Sequence, residues 1–327
     1  MSFNPMQIIL RFVKDWTLPI AITLGALLYF VYVSIPVLQP YSHMTMHLIT
    51  VVQPLLIFSM LFVSFCKVDP TQFRFARWHV WGLLLQTGVF WLFVGLLLVF
   101  PEVPHPITVE GTMLSFMCPT AAAAVVLNTK LGGNNTTLVT YTLLVNLVVA
   151  VAIPAAVPLI HPHEGQDFMV SFWMIMGKIF PMLICPLFAA IVVRYVFPAF
   201  HKRVIATRDL SFYIWSVSLC LAVAVSTKCL MRSHVGTMEG VGLAVGSLIA
   251  CAVQFWTGHK LGLHYSDTIS SSQAIGQKNT VFFIWCGYTF FDPLSSLAGG
   301  FYSIWHNVWN TYQLRLRSKQ DACQTQR

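Results

Sequence analysis

The chain has 327 residues, of which 57% are hydrophobic and only 9% are Asp, Glu, Lys or Arg, and its formal net charge is +8. A mean hydropathy of +0.71 leaves too little charge to cover a water-soluble surface, which excludes a soluble domain and points to a polytopic membrane protein. The positive surplus is then a matter of topology before any nucleic-acid partner is invoked.

A helix needs about 20 apolar residues to cross hydrocarbon. Ten segments qualify: 16–36, 46–66, 79–100, 107–130, 135–160, 168–197, 210–231, 237–259, 266–288 and 292–312. The first is too long, and too closely followed by further spans, to be a cleaved signal peptide. If the spans alternate, the basic links all fall on one side. They hold Arg11 and Lys14 before span one, Lys67, Arg74 and Arg77 after two, and Lys130 after four. Lys202, Arg203 and Arg208 follow span six, Lys260 follows eight, and Arg315, Arg317, Lys319 and Arg327 form the tail. The opposite links hold Glu102, Glu164, Asp167 and Glu239, with Arg232 as their one clear basic member. Lys and Arg stay on the cytoplasmic side, so both termini of this multi-pass cell-membrane protein are expected there.

Within that map, Gln53-Pro54 in span two can face a cavity or a neighbouring helix, and the sequence leaves both open. The eight cysteines stand singly, without CxxC or Cys/His spacing, and read as small apolar residues. Asn134-Asn135-Thr136-Thr137 holds two N-x-T acceptor sequences, but beside Lys130 it lies on the cytoplasmic side, where no glycan is added. His43, His47, His105, His161 and His163 map to outward links or span edges, where they can report external pH or simply sit at the interface. Trp16, Trp78, Trp173 and Trp309 read as an aromatic belt. Lys178 and Lys228 read as side chains snorkelling from span ends.

Five spans followed by five inverts the second half relative to the first, because five is odd. Spans one and six both carry a proline near one end, in DWTLPIA and KIFPMLI. Spans four and nine alone are interrupted by helix breakers and polar residues, in MCPTAAAAVVLNT and SQAIGQKNT. The expected fold is thus an all-α integral membrane protein of ten transmembrane helices in two inverted five-helix repeats. The repeats are 1–160 and 161–314, and a short cytoplasmic tail, 315–327, follows. A helix broken in lipid frees backbone groups that need partners, so paired breaks in inverted halves point to a substrate or ion site. Its candidate residues are Gln86, Pro119, Thr120, Asn128, Gln273, Gly276, Gln277, Lys278, Asn279 and Thr280. Ordinary kinks at Pro119 and Gly276 are the bland alternative, and their corresponding places in the two halves argue against it.

The order of spans, CPTAAAAVV running into LGGNN, the link CKVDPTQFRFAR, and Gly276-Gln277-Lys278-Asn279-Thr280 together resemble the bile acid sodium symporter family over essentially the whole chain. The resemblance implies a core domain of spans three to five and eight to ten, with crossed, broken helices four and nine. This core faces a panel domain of spans one, two, six and seven. It also implies alternating-access transport of an organic anion, such as a bile acid or a similar amphipathic or small carboxylate, from the cavity between them.

Sodium-dependent members carry a pattern like P-G-G-T-A-S-N in span four and E-x-G-x-Q-N in span nine. Laid from Pro119, the Ser and Asn positions become Ala124 and Val125; laid from Gly276, the Glu position becomes Ala274, the Gln position becomes Lys278, and Asn279 is kept. A shift of one residue brings in Gln277 or Gln273 but no carboxylate. Hard cations need oxygen ligands, so sodium coupling through these positions is not expected, nor is any other metal or cofactor. Lys278 has three readings. Its ammonium can stand where the cation would, held by freed carbonyls and by amides such as Gln86 or Asn279. It can also lose and regain a proton during transport, or snorkel as a structural residue. A proton-coupled or uncoupled carrier follows from the first two. An enzyme is not expected, since no HExxH, GxSxG, carboxylate pair or His/Cys cluster is present. A receptor or sensor that binds the anion without moving it is the alternative.

Overall fold

The computed structural model describes residues 17–325 apart from 70, 72, 163–164, 208–209 and 233–235. Arg11, Lys14, Trp16, His163, Glu164, Arg208 and Arg327, singled out above, lie outside the described residues. The helices are α1 (Thr17–Ser34), α2 (Ser42–Cys66), α3 (Arg77–Val99), α4 (Pro106–Met117), α5 (Ala124–Leu131), α6 (Asn135–Ile160) and α7 (Phe168–Leu183). There follow α8 (Cys185–Val196), α9 (Pro198–Ala206), α10 (Leu210–Arg232), α11 (Thr237–Tyr265), α12 (Thr268–Gly276), α13 (Thr280–Phe290) and α14 (Ser296–Thr325). Among the described residues there is no strand, only an isolated antiparallel bridge between Thr120 and Lys278.

Six helical stretches are long and apolar enough to cross a membrane: Pro36–Cys66, Arg77–Val99, Asn135–Ile160, Phe168–Val196, Leu210–Arg232 and Thr237–Tyr265. Segments four and nine are each split, into α4 and α5 and into α12 and α13, so neither half meets that length. The apolar part of the first helix, Pro19–Ser34, is also shorter. The last helix does not stop at 312 but continues to Thr325, carrying Arg315, Arg317 and Lys319. Local chemistry sets several of these ends. The Asn134 side chain accepts from Thr136 N at 3.0 Å and caps α6, so the N-x-T stretch serves as a helix start. Gly132, at φ +86°, terminates α5 in a conformation that suits glycine.

Packing divides the helices into two groups. Helices α1, α2, α8 and α10 lie against one another, while α3, α4, α6 and α11–α14 form the second group. Contacts of α7 with α6 and of α10 with α13 join them. In the second group α11 and α12 touch backbone to backbone: a Cβ at Gly258 would sit 2.7 Å from the Ser271 carbonyl oxygen. Leu84, Leu92, Val99, Phe188, Val192 and Trp256 are exposed on outer faces, an apolar girdle of the kind that lipid covers.

Trp78 corrects the belt reading. It is fully buried, and its indole N–H donates to Asp267 Oδ2 at 3.0 Å. Trp173 and Trp309 are exposed, as a belt requires. Gln53 turns to a neighbouring helix, donating to the Ser218 carbonyl (3.0 Å) and hydroxyl (3.2 Å) on α10.

Candidate functional site

The two breaks meet. Helix α4 ends where Cys118 turns to ψ 142° ahead of Pro119, which has no N–H to continue the helix. Helix α12 ends at Gly276, where a Cβ would press within 2.5 Å of the Phe255 ring. Between them the links pair as a two-rung ladder: Ala121 N donates to Gln277 O at 2.9 Å and Asn279 N to Pro119 O at 2.8 Å. The Thr120 hydroxyl donates to Ala274 O at 2.6 Å. Asn279 Oδ1 accepts from Phe282 N at 3.2 Å and starts α13. Each break thereby satisfies groups that the other exposes, which is what makes two interrupted helices tolerable in an apolar interior.

A pair of Gln–Tyr contacts supports this crossing, and neither is apparent from the sequence. On α3, Gln86 donates to Phe116 O at 2.9 Å, and the Tyr141 hydroxyl of α6 donates to its Oε1. On α11, Gln254 donates to Ser115 O (3.0 Å) and to the Tyr302 hydroxyl of α14 (3.1 Å), which donates to Gly276 O at 2.7 Å. The third, fifth, eighth and tenth expected segments, in the order of the chain, thus contribute a Gln, a Tyr, a Gln and a Tyr. A single buried polar residue inside a long apolar run carries no spacing signal that pairs it with another.

Lys278 is 1% exposed, and its Nζ has no hydrogen-bond partner among the described residues. It therefore does not snorkel, and Gln86, engaged at both ends of its amide, does not hold it. Cys118 and Cys251 lie within electrostatic reach of the amine. Gln277 Oε1 and Asn279 Nδ2 are also buried without partners. Thus Pro119, Thr120, Gly276, Gln277, Lys278 and Asn279 gather at the crossing. Gln86 lies beside it on α3, bonded to the last turn of α4 through Phe116 O. Thr280 faces Ser303 on α14 at 3.4 Å. Two expected residues point elsewhere: Asn128 donates to Asn135 Oδ1 at 2.9 Å, and Gln273 donates to Asn310 Oδ1 (3.3 Å) and Gln313 Oε1 (2.6 Å). Ala124 and Ala274 are fully buried methyl groups.

Between α2 and the first break lies a narrow apolar groove, bounded among others by Leu61, Phe65, Ala121, Ala122, Val125 and Thr142. At the end of the bundle where α4 begins, Glu110 Oε2 accepts from Asp292 N at 3.1 Å and Oε1 lies 2.9 Å from His161 Nε2. That carboxylate raises the His161 pKa against the opposing effect of burial. Nearby, His105 Nδ1 is 2.8 Å from Glu239 Oε1. These contacts give His105 and His161 acidic partners that the sequence did not assign to them.

A family model described as the sodium bile acid symporter family matches residues 54–233. No curated protein matches the chain.

Proposed function

The chain belongs to the sodium bile acid symporter family, and from that premise we propose that this membrane transporter is a secondary active carrier of an organic anion, a bile acid or a similar amphipathic or small carboxylate. It works by alternating access. The observation that carries the reading is Lys278, buried and unpartnered at the crossing of two broken helices. An ammonium left unpaired at such depth costs about 2.5 kcal/mol or more. A side chain of that cost at a crossing points to a functional rather than a packing role.

The carbonyls of Pro119, Ala274, Gly276 and Gln277 already accept hydrogen bonds, and the family's side-chain oxygens are replaced by Ala124, Val125 and Ala274. The carboxylate, hydroxyl and amide oxygens of the sodium-dependent pattern are thus missing from these positions. With Gln86 committed elsewhere, the reading in which Lys278 exchanges a proton as the crossing closes from water and reopens gains over the one in which amides hold it as a fixed cation. We read the two packing groups as panel and core, and the chain as ten crossings in inverted halves. The Gln–Tyr contacts at corresponding segments of the two halves support this.

The test is uptake of labelled taurocholate and labelled octanoate into proteoliposomes under a sodium gradient, a pH gradient, or neither. Uptake that needs no sodium and responds to the pH gradient is expected. A strict millimolar sodium requirement that persists in an active Lys278→Ala variant would overturn it.

A further inference from the structure

Two contacts bracket Lys278 on one helix. Tyr302 of α14 donates to Gly276 O at 2.7 Å, and Ser303, the next residue, lies 3.4 Å from the Thr280 hydroxyl. Gly276 and Thr280 flank Lys278 at two residues on either side, so α14 runs directly alongside the crossing. From there a polar stripe follows the helix. Tyr302, His306, Asn310 and Gln313 recur at spacings of four, four and three residues, which keeps them on one face. The first three are each at most 5% exposed, and Gln313 is half-buried.

Contacts make the stripe continuous. The rings of Tyr302 and His306 meet edge to face with centroids 5.7 Å apart. One turn further on, Gln273 of α12 donates to Asn310 Oδ1 at 3.3 Å and to Gln313 Oε1 at 2.6 Å. At about 1.5 Å per residue, Tyr302 to Gln313 covers about 16 Å, about half of a hydrocarbon core of about 30 Å. It leads toward the end of the bundle where Arg315, Arg317 and Lys319 follow.

Within the stripe the Tyr302 hydroxyl is committed, donating to Gly276 O and accepting from Gln254. His306 Nδ1 is buried without a hydrogen-bond partner among the described residues, and so is Gln273 Oε1. A phenyl ring would pack on Tyr302 with no buried nitrogen to satisfy, so packing alone does not account for an imidazole. Helices α4, α5, α10, α11 and α13 pack against α14. Their acids, Glu110 and Glu239, are held by His161 and His105 at the opposite end of the bundle. Their Lys130, Arg232 and Lys260 are exposed, Lys228 is half-buried, and Cys251 and Cys286 are buried thiols.

We propose that His306 relays the proton exchanged by Lys278 along a hydrated file of Tyr302, His306, Asn310, Gln313 and Gln273, to water at the end of the bundle where the tail emerges. The Lys278 ammonium gives up one proton and keeps the electron pair as a neutral amine. His306 takes that proton at a ring nitrogen and passes it to water; reprotonation runs the same steps in reverse. Histidine suits the task because it gains and loses a proton near neutral pH. Tyr302 positions the imidazole. This route deepens the reading in which Lys278 exchanges a proton, and rests on it.

The test compares two modes of transport of labelled taurocholate and labelled octanoate in proteoliposomes of the full-length protein. Net uptake driven by an imposed pH gradient requires the proton to leave the carrier, whereas exchange between equal internal and external concentrations does not. His306→Phe keeps the ring, and His306→Gln keeps hydrogen-bonding groups. Both are expected to slow net uptake by about tenfold or more and to leave exchange near the wild-type rate. Melting temperature and elution volume check folding, and if neither variant folds, Asn310→Leu, one turn along the file, carries the same expectation. Net uptake and exchange reduced alike would show a packing role and overturn the route. Net uptake at the wild-type rate in either His306 variant, beside a wild type that responds to the pH gradient, would remove the route alone. A wild type that ignores the gradient, or transports neither anion, would remove proton exchange at Lys278 and the route with it.

Discussion

A lysine in an apolar run is visible in any sequence, but what surrounds it is not. The Lys278 Nζ meets neither carboxylate nor amide among the described residues, so the sequence identified the residue and misjudged its support. The Gln86 amide, a candidate partner in the sequence, is occupied by the Phe116 carbonyl and the Tyr141 hydroxyl. Gln254 and Tyr302, which tie Ser115 to Gly276, give no signal in the sequence, because single polar residues in long runs carry no period. For the proton-exchange role, Lys278→Ala should reduce anion uptake by about tenfold or more without loss of folded protein. Lys278→Gln should be no better, since an amide supplies neither the proton nor the oxygens absent at Ala124, Val125 and Ala274. Lys278→Arg separates the roles, because a guanidinium stays protonated. Wild-type uptake should vary with pH, and any residual Lys278→Arg uptake should not. A pH profile shared by both would remove the proton from the mechanism.

Among the elements, the breaks were legible because proline and glycine act locally. Pro119 lacks a donor and Gly276 admits the Phe255 ring. Their pairing was not legible, since hydrogen bonds between residues 119–121 and 277–279 depend on tertiary approach. Pro119→Ala returns an N–H and lets α4 continue, which would draw Thr120 and Ala121 out of the ladder with Lys278 and Gln277. Uptake should then fall far more than the yield of folded protein, whereas an incidental kink would affect both alike. A second element-level contact fastens the start of α4 to the end of α6. Glu110 raises the His161 pKa above its unfolded value, about 6.5. The contribution of the pair to stability is therefore complete below the unfolded value and is lost as pH rises through the folded one. Melting curves at about pH 5 and about pH 9 should show the wild type less stable at the higher pH from this pair. In Glu110→Gln that difference should shrink, and equal slopes in the two proteins would show that the contact contributes nothing.

Across the whole molecule, hydropathy located the helices in order because lipid demands apolar length, and each expected segment corresponds to one helix or one split pair. Six stretches carry that length, one of them made of α7 and α8 together. The others are interrupted or polar at the places where the proposed site needs backbone free of the helix, or where α14 runs on with Arg315, Arg317 and Lys319. How the helices sort into two packing groups was not readable from periodicity. Helices in such a chain are apolar on nearly every face, and the glycines that let α11 and α12 touch look like any others. Ten crossings remain a proposal that charge distribution supports. Arg203 lies at α9, between α8 and α10, while Pro162 follows α6. One proposed crossing, made of α7 and α8, separates them, so the two positions must face opposite compartments. Single cysteines introduced at Pro162 and Arg203, in a variant cleared of native thiols that still takes up anion, should react with a membrane-impermeant maleimide from opposite sides. The Pro162 position should react in intact cells and the Arg203 position only after permeabilisation, because basic links stay in the cytoplasm. Labelling of both from one side would break the alternation, and with it the inverted halves that make the Pro119 and Gly276 breaks equivalent.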